Sequence, residues 1–437
     1  MRKFFDCIKD YLILLVAGLV AAVVLSAFHY LSLYIFDYIE LSIEPSFINI
    51  VTVVAFDCGL IVANGFLIHM INRTGVNIFV IEKRIRNREK IRVWLNVALT
   101  FLTCYISFAL GLALGAENAM TILGGLIGYF FFRMTKIDRR KGFLIGASMG
   151  FSVALSNPLV GVAIYIEAYE KKAKFKNVLK VAFASLVAYS CYSLIVGSFH
   201  FGLYFEDVRE YIKGVETSIL ILIPLIVIFA GYIFSKGIFL IKKLFQNHIP
   251  EYVDFALALI ISVALRFFYS RAIGTGESFF HSIGTFEPII SLLIYLLIRY
   301  GLIAYSFNSN FNGGMVIPTL AYGAALGKLM VLLTANFYDF DQNQATLIVI
   351  VTTLCFYAFV SGSYLTSFFL AISFVDIRYI IVPLTFSLTV TYIINKRTIH
   401  FNGISKTILK MNAVHRYRVM PIFKIFDRPR QYENIDN

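Results

Sequence analysis

The chain alternates long apolar stretches with short polar ones. Since about 20 mainly apolar residues cross a bilayer as a helix, the runs at about 11–36, 47–72, 93–115, 177–199, 217–235, 253–270, 285–306, 344–361 and 378–394 predict spanning helices. Shorter apolar pieces lie at about 119–132, 143–156, 158–169, 313–333 and 364–375. Too short to span alone, they predict tilted or broken helices that stop partway and bury their ends in protein. One long polar break, Phe201 to Gly214, divides the apolar part into halves of similar length. The expected organisation is a first membrane repeat over 1–200, a polar connection over 201–214, a second membrane repeat over 215–395 and a basic tail over 396–437. A glycine-flanked interruption falls at Gly115 to Ala119, and a second, Asn312-Gly313-Gly314-Met315-Val316-Ile317-Pro318, follows about 200 residues later. Paired interruptions in two halves point to a binding site between inverted repeats.

Composition fixes the solvent. With 59% hydrophobic residues and only 15% charged ones over 437 residues, the chain is an all-α polytopic membrane protein. The net charge of +13 follows the membrane and argues against a nucleic-acid partner. Lys83, Arg84, Arg86, Arg88 and Lys90 fill one loop; Lys136, Arg139, Arg140 and Lys141 fill a second; Lys171, Lys172, Lys174 and Lys176 fill a third. Positive loops mark the cytoplasmic side. The acidic connections holding Asp37, Glu40 and Glu44, then Glu206, Asp207 and Glu210, then Asp339 and Asp341, fit the opposite side. Both termini are therefore expected in the cytoplasm, the protein being a multi-pass span of the cell membrane. The first apolar run has spanning length and no small-residue cleavage site, so it reads as a helix and not as a removable leader. The five cysteines form no C-x-x-C pair, and the seven histidines show no ligand spacing. No metal or cofactor is called for, and no nucleophile with a base at bilayer depth supports an enzyme.

Candidate chemistry centres on one acid. Glu117 is the only formal charge in the forty residues between Arg92 and Arg133. An ionisable group at this depth is expensive and reads by default as a functional site. Small residues on both sides predict a helix broken there, so that free backbone N–H groups can meet an anion.

With these residues in place, the order and spacing of several degenerate motifs resemble the CLC chloride channel and transporter family. Gly115-Ala116-Glu117-Asn118-Ala119, followed by Gly124-Gly125, resembles the family's Gly-Lys/Arg-Glu-Gly-Pro signature. Ser156-Asn157-Pro158-Leu159-Val160-Gly161 through Glu167 resembles its Asn-Ala-Pro-Leu-Ala-Gly run. Gly314-Met315-Val316-Ile317-Pro318, with Gly323 and Gly327 beyond, resembles its Gly-x-Phe-x-Pro element, and Arg73-Thr74-Gly75-Val76-Asn77 falls where its Gly-Ser-Gly-Ile-Pro element would. The resemblance spans most of the chain. It implies two inverted-topology repeats of tilted and broken helices, an anion path in each subunit of a homodimer, and chloride or another small anion as the substrate, with protons as a second one in coupled members. Glu117 would be the gating glutamate. Thr74, Gly75, Asn118, Met315 and Val316 would bind the anion through a hydroxyl and backbone N–H groups.

The departures from the family pattern carry equal weight. Ala116, Asn118 and Ala119 replace the usual cation, glycine and proline beside the glutamate, and Asn118 offers a side-chain donor in their stead. The position of the family's inner proton glutamate is Ala168. Glu167 is the adjacent acid, pointing about 100° away on a helix, and Glu170 reads as a balance for Lys171 and Lys172. The resemblance then implies a channel-like or weakly proton-coupled path. It leaves open an antiporter with a different proton route and a relative selective for another anion such as fluoride. No tyrosine occupies the stretch after the last span, where Phe401 and Ile404 would line an inner gate by packing. Elsewhere, Asp57 is expected to pair with a neighbouring polar group, Arg299 to snorkel or to hold the preceding loop, and Glu277 to sit in a glycine-rich loop near an outer vestibule.

Overall fold

The computed structural model describes residues 2–40, 46–74, 78–133, 138–170, 173–197, 217–248, 250–277, 279, 288–335, 337–338, 340, 342–375 and 377–397. Helices account for nearly all of them. In the first half they are α1 (Arg2–Glu40), α2 (Phe47–Thr74), α3 (Ile78–Arg86), α4 (Val93–Ala109), α5 (Glu117–Phe132), α6 (Arg139–Ala154), α7 (Pro158–Ile164), continued by a π-helical turn Tyr165–Tyr169, and α8 (Phe175–Val196). The second half holds α9 (Thr217–His248), α10 (Glu251–Phe268), α11 (Ile289–Ser306), α12 (Val316–Thr334), α13 (Gln342–Ser361), α14 (Tyr364–Leu370) and α15 (Ile377–Arg397). The run α4 to α8 recurs in the same order as α11 to α15, which is the two-repeat architecture expected from the sequence. Among the described residues seven helices are long and apolar enough to cross a membrane.

These seven leave out three runs expected to span, 93–115, 253–270 and 378–394, and include one expected to be too short. The apolar run at 93–115 does not span as one helix: α4 ends at Ala109, Gly111 turns the chain with a φ of +65°, and 110–116 runs on without regular structure. The helix is closed by Gly111, the left-handed residue just past its end, whose N–H donates to Phe108 O at 2.7 Å, and Gly115 beyond it pairs with the other half of the molecule. Conversely, the run at 313–333 becomes α12, whose 19 residues from Val316 to Thr334 are long enough to cross.

The repeats are related by a two-fold arrangement visible in single hydrogen bonds. Gly115 N donates to Gly314 O at 2.8 Å and Gly314 N to Gly115 O at 2.6 Å, an isolated antiparallel bridge. On either side of it, Asn312 N donates to Ser107 Oγ at 3.0 Å while Ala113 N donates to Ser306 Oγ at 3.0 Å. Ser107 lies in the last turn of α4 and Ser306 ends α11, so the helix before each break satisfies the broken segment of the other repeat. Buried backbone donors need such partners in a medium without water.

Within each repeat the helix after the break packs closely on its successor. A methyl group at Gly124 or Gly128 of α5 would strike the backbone at Gly146, Gly150 or Gly142 of α6, and one at Gly146 would strike Gly124 and Gly128 in return. In the second repeat Gly323 and Gly327 of α12 lie against Thr353 and Val349 of α13 in the same manner. Small residues at the seam let helix backbones approach, which drives association where lipid competes for apolar contact.

Cations serve as buried fasteners. Arg266 of α10 faces Asp57 of α2 at 3.5 Å, Asp57 also accepts from Ser262 Oγ at 2.7 Å, and Arg266 donates to the carbonyl of Ala109 at the end of α4. A positive group is favoured at a helix C-terminus, and removing one partner of a buried pair costs about 3–5 kcal/mol. Asp57 thus pairs as expected. Arg299 is fully buried and does not snorkel; it donates to the carbonyls of Ala272, Gly274 and Thr275, holding the preceding loop. That loop in turn reaches the first break through Gly274 N to Gly111 O at 2.9 Å.

On the face carrying the basic loops, α3 is latched to α6: Glu82 accepts from Arg86 at 2.8 Å and from Arg140. Burial opposes ionisation of Glu82, but the two guanidinium groups outweigh it and hold its carboxyl below the usual carboxylate range. The latch is therefore complete at neutral pH and is lost only as pH falls through that depressed value.

Substituting Gly146→Val would force the α5–α6 seam apart. An overpacked core loses about 1–3 kcal/mol, so the midpoint of thermal unfolding in detergent, followed by size-exclusion chromatography, is expected to fall by several degrees. An unchanged midpoint would count against the seam.

Candidate functional site

The two breaks bring two helix N-termini together, and Glu117 stands between them. It is the first residue of α5, and neither α5 nor α12 is capped by a side chain of its own N-cap residue, Ala116 and Met315 respectively. The first N–H groups of a helix have no partner inside it and carry partial positive charge. The Glu117 side chain fills this vacancy at α12. Its Oε1 accepts from Ile317 N at 2.5 Å, with Val316 N–H and its own N–H also turned towards the carboxyl. Its Oε2 is buried without a hydrogen-bond partner. The residue as a whole is 1% exposed.

The paired glycines make the space for this carboxyl. A side chain at Gly115 or at Gly314 would collide with the Glu117 carboxyl group itself. The same two residues therefore fix the two-fold contact through their backbones and, by lacking side chains, leave room for the acid.

The Asn118 side chain, expected to offer a donor to an anion, also reaches the other repeat. Its Nδ2 donates to Asn312 Oδ1 at 3.2 Å, and Asn312 Nδ2 donates to Thr103 Oγ1 at 3.1 Å. Asn118 thereby ties one break to the other, and this bond takes one of the two hydrogens of its amide.

A cavity of about 120 Å³ adjoins the site. Glu117, Asn118, Gly314, Met315 and Val316 form one part of its wall. It extends towards Ile78 and Phe79 of α3 and Ala168 and Tyr169 of the π-helical turn, elements flanked by the basic loops. Ala168 lines it; Glu167 does not. The Glu167 carboxylate instead accepts from Leu365 N at 2.6 Å and from Thr366 N at 3.0 Å and Thr366 Oγ1 at 2.7 Å, at the start of α14. Glu170 accepts from Tyr165 Oη at 2.7 Å; Lys171 and Lys172, which the sequence set against it, lie outside the described residues. Asn157 caps α7 by accepting from Leu159 N at 2.9 Å and crosses to the second repeat by donating to Phe369 O at 2.9 Å.

Of the other candidates, Thr74 closes α2 but its side chain lies outside the described residues, as do Gly75, Phe401 and Ile404. Residues that sequence reasoning missed are Ile317, whose N–H holds the carboxyl, and Tyr357 and Tyr169, which line the cavity. Ile317 lay one position beyond the pair expected from the motif. The tyrosines carried no signal, being two among 26.

The sequence family described as voltage gated chloride channel matches residues 58–396. No curated protein matches the chain. Among solved structures, the fold is similar to that of a slow cyanobacterial Cl⁻/H⁺ antiporter, with a TM-score of 0.77 at 17% identity, covering 92% of this chain and 99% of the other. It is also similar to a CLC-type fluoride/proton antiporter, with a TM-score of 0.70 at 17% identity over 89% of this chain and 96% of the other. A eukaryotic CLC transporter aligns with a TM-score of 0.70 at 16% identity over 93% of this chain and 74% of the other.

If the glycines make room for the acid, Gly314→Ala must move it. The carboxyl is the far end of a flexible side chain, so the expected outcome is a folded protein whose Glu117 side chain has left Ile317 N–H, seen directly in an experimental structure of the variant. A Glu117 side chain still seated on α12 would contradict this account.

Proposed function

Since the chain belongs to the voltage gated chloride channel family, we propose that it carries chloride across the membrane through a path gated by Glu117, without tight coupling to protons. The observation that carries the reading is the Glu117 carboxylate on Ile317 N–H at the N-terminus of α12, with its second oxygen unpartnered beside a cavity. A carboxylate there mimics a permeating anion. It takes backbone donors that chloride would otherwise use, so the two compete for one place. Protonation removes the negative charge and weakens the hold of the N–H groups. The side chain then yields and an anion takes its position. Neutral backbone donors suit this task because an anion held by a lysine would leave too slowly. In keeping with this, the buried guanidinium groups of Arg266 and Arg299 are engaged by Asp57 and by backbone carbonyls.

Weak coupling is supported by the wall of the cavity. Ala168 stands where coupled relatives place an inner glutamate, and Glu167 is engaged by three donors of α14. A second reading, antiport by another proton route, draws support from the two similar structures that are Cl⁻/H⁺ and fluoride/proton antiporters. We further propose that Thr74 and Gly75 complete the anion path, that Phe401 and Ile404 line its inner end, and that the protein works as a homodimer in the cell membrane. The basic loops and both termini would face the cytoplasm.

The test is anion efflux from liposomes holding the purified protein, recorded together with internal pH under a chloride gradient and a valinomycin–potassium clamp. Chloride flux with little proton movement is expected, and uphill proton movement driven by chloride would replace weak coupling by antiport. No anion flux would overturn the transport reading. Glu117→Gln, a permanently neutral gate, is expected to keep flux and abolish its rise on acidification. An unaltered pH response would remove Glu117 from the gate.

A further inference from the structure

The corner where α4 begins and α5 ends takes no part in the anion path. Trp94 of α4 meets Phe130 of α5 with ring centroids 5.8 Å apart, so the first turn of α4 and the last turn of α5 lie at one level. That level is on the face carrying the basic loops, while the break that holds Glu117 joins the other ends of the two helices. Both rings are exposed, Trp94 at 69%. Along α4 the exposed positions are Trp94, Ala98 and Leu102, each four residues after the last, which makes one apolar stripe. On a membrane-embedded helix such a stripe faces lipid, and an aromatic side chain at its end marks the headgroup level.

Cations gather at the same level. Lys90 and Arg92 lead into α4, Arg133 follows α5 three residues beyond Phe130, and all three are exposed. The acids of this corner are engaged elsewhere. Glu89 accepts from Arg84 at 2.8 Å, Glu82 from Arg86 at 2.8 Å and from Arg140, and Asp138 from Arg140 N at 3.1 Å. Among the described residues Lys90, Arg92 and Arg133 make no ion pair. Topology accounts for cations on this side of the membrane. It does not account for their standing beside two exposed aromatic rings at the foot of a lipid-facing stripe.

We propose that Trp94, Phe130, Lys90, Arg92 and Arg133 form a binding site for an anionic phospholipid. Its acyl chains lie along the α4 stripe, the two rings sit at the interface, and its phosphate meets the cations. Charge and depth together select this occupant. A soluble anion would find the cations but not the stripe; a zwitterionic lipid would find the stripe and offer the cations no net charge. The site is independent of the transport reading and adds a means of control to it, because the lipid joins the far ends of the two helices that flank the first break.

Trp94 is the single tryptophan of the chain, so its fluorescence reports this site alone. The purified full chain is reconstituted in vesicles of phosphatidylcholine and phosphatidylglycerol, with the acyl chains of one lipid or of the other brominated so that they quench the emission on contact. A basic residue near the surface is worth about fivefold in binding of anionic lipid. Brominated phosphatidylglycerol is therefore expected to quench several-fold more effectively than brominated phosphatidylcholine at equal fraction. Arg92→Gln is expected to lower that preference about fivefold, and Arg92→Gln with Arg133→Gln to abolish it, while Lys176→Gln at the start of α8 leaves it unchanged. Equal quenching by the two lipids in the wild type would assign the cations to water and overturn the proposal. Quenching by neither would mean that a second copy of the chain covers this face, and would overturn it as well. So would a preference that survives the double variant or that Lys176→Gln lowers as far, since the attraction would then belong to the net charge of the chain and not to this corner.

Discussion

The molecule depends on one reciprocal pair of hydrogen bonds, between Gly115 and Gly314. A helix stopped inside a membrane exposes backbone groups that hydrocarbon cannot satisfy, at several kcal/mol each. Two such stops are present, and each satisfies the other. The pairing extends to Ser107 and Ser306, which accept from Asn312 and Ala113 across the same two-fold contact. Without it neither break could remain at depth, and the helices would close over the gap or the segment would take up water. The symmetry is therefore the least costly way of holding two helix ends open.

Function follows from what this contact leaves over. It consumes the backbone groups just before each helix but not those of the first helical turn, which point into the space the glycines clear. A group seated there must be negative, small and removable. The Glu117 carboxylate meets these needs, and it is covalently tethered to the end of α5 while its partner N–H, on Ile317, belongs to α12. The gate thus bridges the two repeats. The permanent cations are kept at a distance and engaged: Arg266 closes the C-terminus of α4 and Arg299 holds the loop over 272–275. They support the architecture of the site without fixing an anion in it.

Much of this was legible in the sequence because it is local. An acid alone in forty apolar residues, glycines beside it, a matching glycine pair in the second half and an alanine at 168 all declare themselves by position. The helix boundaries were less so. The run at 93–115 does carry a local stop in Gly111, which turns the chain just past Ala109, but the pairing of Gly115 with Gly314 in the other half leaves no local mark. The contact of Asn118 with Asn312 was hidden for the same reason: the two are distant in sequence and adjacent only once the two-fold is formed. Thr74, where the resemblance placed the anion-binding hydroxyl, closes α2 with its side chain outside the described residues.

The hydroxyls beside the cavity expose a more general limit. In an apolar helix a serine or threonine can satisfy itself on the turn behind it, so a hydroxyl-rich wall need not be a donor-rich one. Thr121, Thr319 and Ser361 all follow that rule here. A hydroxyl gives its hydrogen elsewhere where a stronger acceptor is in reach, as Thr366 Oγ1 of α14 does to Glu167. The number of hydroxyls near a pore therefore says little about anion affinity. What counts is how many are drawn away from their own helix, a property of the acceptors around them that neither composition nor motif spacing records.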